Sequence, residues 1–319
     1  MMLSLTRLIV LTAALAWLVV TLGAYVRLSD AGLGCPDWPG CYGQLGAPSS
    51  ARDLRAAEAA FPAQPVEVHK AWKEMVHRYA AGTLGLLILF IFVRAWREKA
   101  AIRKPAAALL ALVLFQALLG RWTVTELLRP AIVSAHLLGG MATLALLAWL
   151  VLSQARVARH GASDAGSRIL AGAALLLVVI QIALGGWTSS HNAALICGAG
   201  LSCRGEWMPV MDFAAAFFPG GATAPSLEAL TAIHWSHRLG ALVVAGVVIL
   251  LSLALLRSEE MRRLGWLLLA LMGLQIGLGL ANVLLGLPLA TAVAHNAVAA
   301  LLLATLVMVN WTMRERSTP

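Results

Sequence analysis

Four histidines recur in register. His77 and His136 lie 59 residues apart, and His237 and His295 lie 58 apart. Each stands near the start of a long apolar run: "EMVHRYAAGTLG" (74–85), "SAHLLGG" (134–140), "HWSHRLGA" (234–241) and "VAHNAVA" (293–299). Ionisable side chains are expensive at that depth in a bilayer and mark function there. A lone histidine would read as an interfacial hydrogen-bonding group. Four at matched depth, in duplicated register, read as two pairs of axial ligands for haem iron, each pair facing across a helix bundle. Arg78 and Arg238 directly follow two of them. Arginine pairs well with carboxylates in partly dry sites, so both are candidates for haem propionates. Snorkelling to lipid headgroups is the alternative.

The two sets differ at one position. Glu74 stands three residues before His77, on the same helix face; its counterpart before His237 is His234. A carboxylate in a low-dielectric pocket can take a proton or stabilise developing positive charge. The first half is therefore expected to carry chemistry and the second to store electrons. The competing reading of Glu74 is an ion pair with Lys70, Lys73 or Arg78. No ligand role is assigned to His234. His69 and His191 fall in outer loops near the mouths of the sites, where either could gate a site or be inert, the inert reading being preferred; His160 in a basic loop reads as a solvated surface histidine.

The elements that must position these residues are membrane helices. Of 319 residues 60% are hydrophobic and 12% charged, and mean hydropathy is +0.82. Soluble domains are about 45–50% apolar and about 25% charged. Eight runs are long enough to span, near 5–26, 73–95, 105–122, 131–153, 168–188, 231–256, 264–285 and 289–311. The net charge of +9 does not indicate nucleic-acid binding, because its distribution is a topology signal. Short segments on one side (at the termini and in 94–104, 154–168 and 257–263) carry 14 Lys and Arg, against 8 in the opposite loops. The positive-inside rule puts both termini in the cytoplasm. The first run ends in "YVRLSD" without a cleavage site, so it is kept as a helix.

The chain is also a duplication. "LGAYVRLSDAGLGC" (22–35) aligns with "LGGWTSSHNAALIC" (184–197) at an offset of 162, and "QALLG" (116–120) with "QIGLG" (275–279) at 159. The expected fold is all-α: two parallel-repeat four-helix bundles, in halves 1–160 and 161–319. A short interfacial helix is expected within 49–61. The Q-x-x-L-G stretches, including "QIALG" (181–185), read as close helix packing. All four cysteines fall in the outer loops, Cys35 with Cys41 and Cys197 with Cys203, each as C-x5-C. An oxidising compartment permits disulfides there. Spacing leaves a structural staple and a redox-active pair equally open, and a metal site lacks histidine partners.

Together "GAYVRLSDAGLGCPDWPGCYG" (23–43), "WKEMVHRYAAGTLG" (72–85), "AHLLGG" (135–140), "HWSHRLGA" (234–241) and "AHNAVA" (294–299) resemble the haem A synthase family, over all eight helices. The resemblance implies oxidation of a ring methyl of haem O to a formyl group through successive hydroxylations, giving haem A for cytochrome oxidase. It implies substrate haem between His77 and His136, a haem b cofactor between His237 and His295, and Glu74 beside the reacting haem. It implies a Cys35–Cys41 disulfide linked to haem handling; Cys197 and Cys203 match a pair found in some members and are taken as structural. The implied setting is the bacterial cytoplasmic (inner) membrane, with a haem O-producing farnesyltransferase and cytochrome oxidase assembly factors as neighbours. Two axial histidines leave no open iron position. Either one swings away, or the methyl loses electrons by an outer-sphere route and is trapped by water, which Glu74 suits better. The main alternative function is a bis-histidine cytochrome b that transfers electrons without modifying haem; a transporter and a haem chaperone are further rivals.

Overall fold

The computed structural model describes residues 4–155, 157, 165–218 and 224–314. His160, Arg156, Arg159 and Arg316 lie outside the described residues. Regular structure among them is helical, apart from two isolated β-bridges. Ten α-helices follow in order: α1 Leu5–Leu28, α2 Ala51–Ala60, α3 Val68–Arg97, α4 Arg103–Thr125, α5 Pro130–Gln154, α6 Ala165–Ser190, α7 Phe213–Phe217, α8 Leu227–Leu256, α9 Arg262–Leu284 and α10 Leu289–Thr312. Eight of them, all but α2 and α7, are long and apolar enough to cross a membrane. In hydrocarbon a helix satisfies its own backbone polar groups, which is why these runs take no other form. Buried hydroxyls follow the same rule. Thr12, Thr143, Ser252 and Thr305 each donate to the carbonyl four residues back, at 2.7–2.9 Å.

α3 and α8 begin earlier than the apolar runs, at Val68 and Leu227, and reach 30 residues each. At 1.5 Å per residue that is about 45 Å, more than the hydrocarbon needs. The first turn of α3 carries His69 and Lys70 and that of α8 carries Glu228, and these ionisable residues end the apolar runs before the helices end. Lys70 there pairs with Asp30 at 3.3 Å and Glu67 at 3.0 Å.

The chain divides into two units, Met1–Gln154 and Ala155–Pro319. In the first, α1 packs on α3, α3 on α4, α4 on α5, and α5 on α1. This is a closed ring in which α3 and α5 are diagonal. In the second, α6, α8, α9 and α10 close a ring the same way, with α8 and α10 diagonal. Ile9, Ile88, Ile91, Leu109, Leu147 and Leu150 are fully buried. They come from the start of α1 and α4 and the end of α3 and α5. That end of the first bundle is a largely apolar core, with the Thr12 hydroxyl turned back onto its own helix; Glu74, His77 and His136 lie toward the other.

The loop after α1 folds onto α3. Cys35 and Cys41 are disulfide-bonded. They are buried with Tyr42, Ala47, Ala57, Ala71 and Met75 in a small core of their own. The expected interfacial helix is α2; its Ser50 and Asp53 form a reciprocal capping box. In the second unit Cys197 and Cys203 are bonded and packed on Trp235 of α8. Each loop ends in the same turn, closed by a paired bridge: Cys41 with Gln44, and Cys203 with Glu206.

Gly34 lets the first loop touch α3. A Cβ there would lie 2.5 Å from the Lys70 carbonyl carbon and 2.8 Å from the Ala71 nitrogen. Backbone cannot yield at that distance, so Gly34→Ala should lift the loop from the helix. Partial reduction followed by thiol labelling is expected to open Cys35–Cys41 faster in the variant. Cys197–Cys203 serves as the unchanged internal reference. Equal rates would refute the contact.

Candidate functional site

The four histidines occupy the diagonal helices: His77 on α3, His136 on α5, His237 on α8 and His295 on α10. His136 is near enough to His77, and His295 to His237, for their charges to interact. Each imidazole lies against a glycine of the preceding membrane-length helix, α1, α4, α6 or α9. A Cβ on Gly23 would sit 3.1 Å from His77 Cε1; on Gly120, 3.4 Å from His136 Cε1; on Gly185, 3.1 Å from His237 Cε1; and on Gly279, 3.3 Å from His295 Cε1. Every one of these glycines stands five residues before the end of its helix. Missing side chains thus create four equivalent niches, and place the rings at one depth within their bundles.

Glutamines hold three of the rings. Gln116, with its amide oriented to satisfy both ends, donates to His136 Nδ1 at 2.9 Å and accepts from the Gly140 N–H at 3.1 Å. Gln181 Nε2 lies 3.0 Å from His237 Nδ1 and donates to the His237 carbonyl at 2.9 Å. Gln275 Nε2 lies 3.2 Å from His295 Nε2. The Q-x-x-L-G stretches therefore do more than pack: the glutamine reaches an imidazole and the glycine four residues on makes its niche. The signal was the coincidence of three glutamines at one spacing from three glycines. His77 Nδ1 and His295 Nδ1 are buried and lack a hydrogen-bond partner.

The arginines face the loops. Arg78 Nη1 donates to the carbonyls of Asp37 (3.0 Å), Pro39 (3.3 Å) and Gly40. Its Nη2 pairs with Glu74 Oε1 at 2.5 Å, and Glu74 Oε2 accepts the Cys35 N–H at 2.9 Å. Of the three partners expected for Glu74, the structure gives Arg78. In the second unit Arg238 Nη1 donates to Gly200 and Leu201 carbonyls, both at 2.9 Å, and to Ser202 at 3.5 Å. Arg238 Nε donates to His234 Nε2 at 3.1 Å. Both arginines clamp a disulfide loop by its carbonyls, a role spacing did not suggest. Arg238 Nη2 remains buried without a partner. His69 lies on the surface near Glu67, and the His191 ring packs tilted against Trp187, centroids 4.3 Å apart; neither joins a histidine pair.

The donor set fits a porphyrin iron in each bundle. Two imidazoles on diagonal helices, in niches kept by glycine, suit axial ligation. An imidazole that gives Nε2 to iron carries its proton on Nδ1 and needs an acceptor there. A glutamine amide supplies one by a half-turn, and Gln181 Oε1 is buried without a partner.

Removing Arg78 leaves the Glu74 carboxylate buried beside an unheld loop. The side chains are 13% and 6% exposed, so Arg78→Ala is expected to cost about 3–5 kcal/mol. Adding Glu74→Gln should return part of the loss, as thermal denaturation in detergent would read. Arg238→Ala, which breaks no ion pair, should destabilise less. A Glu74→Gln change that worsens Arg78→Ala would contradict the pairing.

A family model described as cytochrome oxidase assembly protein matches residues 6–307. A heme A synthase of Shewanella oneidensis is 46% identical over 323 aligned residues, covering 98% of each chain. Heme A synthases of Rhizorhabdus wittichii and Halalkalibacterium halodurans are 29% and 28% identical, over 93% and 91% of this chain and 90% of each relative. The chain belongs to the haem A synthase family of cytochrome oxidase assembly proteins.

Proposed function

We propose that this chain is a haem A synthase, a membrane oxidoreductase that converts haem O to haem A by oxidising one ring methyl to a formyl group. The carrying observation is the pair of diagonal histidines in each bundle, in a chain similar over its whole length to heme A synthases. His77 and His136 would bind the substrate haem, and His237 and His295 a haem b cofactor. Bound haem b supplies one-electron redox chemistry. What separates the bundles is Glu74 against His234, one turn before His77 and His237. Chemistry is accordingly assigned to half 1–160, with Glu74 as the group that exchanges a proton at the reacting carbon. That task requires a carboxylate oxygen released from Arg78 or from the Cys35 N–H, so loop and acid would move together. Arg238 Nη2, buried and unpartnered, is available to a propionate. Arg78 would serve its propionate only by giving up part of its clamp.

The remaining features follow. Matching ring orders within the units and the aligned sequences support a tandem repeat of like orientation. The basic bias of the short segments supports cytoplasmic termini. The setting is the bacterial cytoplasmic membrane, with lipid around the helices. A farnesyltransferase would deliver haem O, and cytochrome oxidase assembly factors would receive haem A.

Extraction of haems from membranes of cells that make haem O tests the reading. The wild-type chain should yield haem A, and Glu74→Ala should leave haem O or a hydroxylated haem. Haem O left unconverted by the wild-type chain would favour a cytochrome b without synthase activity.

A further inference from the structure

Three of the four histidines are tied by a glutamine, and the fourth is not. Gln116, Gln181 and Gln275 each stand four residues before the niche glycine; in α1 the same position, before Gly23, is Val19. Val19 is 8% exposed and offers His77 no polar atom. The room for the amide is missing as well. Gly139 and Gly240, three residues after His136 and His237, are where Gln116 and Gln181 lie: a Cβ would strike Gln116 Nε2 and Gln181 Oε1. The residue three after His77 is Ala80; three after His295 it is Val298, and there Gln275 approaches Nε2 instead of Nδ1. The amide and the glycine that faces it are thus both replaced at His77, whose niche at Gly23 is kept, and its Nδ1 is buried with no partner.

We propose that His77 is the exchangeable axial ligand of the four, and that Gln116, Gln181 and Gln275 are positioning residues that fix the other three. The inference rests on the haem sites proposed above. A hydrogen bond to the distal ring nitrogen fixes an imidazole's orientation and strengthens it as a ligand. Losing such a partner lowers metal affinity about 10–100-fold. In the first bundle His136 has that support from α4 and His77 has an apolar wall. His77 is therefore the ligand that leaves, on the helix that carries Glu74. In the second bundle each ring is held by a glutamine, His237 at Nδ1 by Gln181 and His295 at Nε2 by Gln275; His295 Nδ1 lacks a partner as His77 Nδ1 does, but only His77 has no glutamine on either nitrogen. Ligand release then becomes the favoured of the two routes around a six-coordinate iron.

Carbon monoxide is a direct probe, because it binds ferrous haem where an axial histidine departs. Purified holoprotein would be reduced and titrated with the gas, and the Soret band followed. His237→Ala protein isolates the first-bundle haem. The wild-type chain should bind carbon monoxide at the first-bundle haem and not at the second. Val19→Gln, alone or with Ala80→Gly to make room for the amide, should weaken binding about 10–100-fold with haem content unchanged. Gln181→Leu should open the second haem to the gas. Unchanged affinity in both Val19 variants at full haem content would overturn the proposal. So would a second haem that binds carbon monoxide as readily as the first in the wild-type chain, or one that stays closed in Gln181→Leu. A protein with no Soret band before gas is added would overturn the haem sites themselves and this inference with them.

Discussion

An imidazole pointed into a membrane bundle needs two things that hydrocarbon does not provide: room between close-packed helices, and a partner for each ring nitrogen. Gly23, Gly120, Gly185 and Gly279 supply the room by leaving out a side chain where a ring must lie. Three glutamines supply the partner. His77 Nδ1 and His295 Nδ1 stay buried without a partner. This pairing of niche and anchor sets ring depth within each bundle and brings two rings toward each other on diagonal helices. Filling the far end of the first bundle with Ile9, Ile88, Ile91, Leu109, Leu147 and Leu150 confines the polar interior to one end.

At that end the disulfide loops close on the histidine helices. Arg78 and Arg238 each gather successive loop carbonyls onto one guanidinium nitrogen, a use for which a planar fork of donors is well shaped. In the first unit this clamp shares Arg78 with Glu74, and Glu74 also holds the Cys35 N–H. The acid assigned to chemistry is thus mechanically joined to the Cys35–Cys41 loop. The second unit has His234 in its place and no such charge. The two bundles share a frame and differ where reactivity is assigned.

Much of this was legible in the sequence. The eight apolar runs marked the spanning helices, because only an apolar helix is stable in lipid. The histidines announced themselves by register. The Glu74–Arg78 pair was among the options the spacing allowed. What escaped was tertiary. The arginines' carbonyl partners lie about 40 residues away, in loops whose fold no periodicity encodes. The glutamines were read as packing because Q-x-x-L-G also fits a close helix crossing. The contacts of the three amides with imidazoles separate the two readings. The first turns of α3 and α8 were missed because His69, Lys70 and Glu228 interrupt the apolar runs there.

The central claim is that each bundle holds one haem between its diagonal histidines. The most direct test is quantitative haem extraction with a pyridine haemochrome spectrum, on purified wild-type protein and on His237→Ala. The account predicts two haems per wild-type chain, haem b together with haem O or A. It predicts loss of haem b alone from the variant. One haem shared by the whole chain, or loss of both on changing His237, would contradict it.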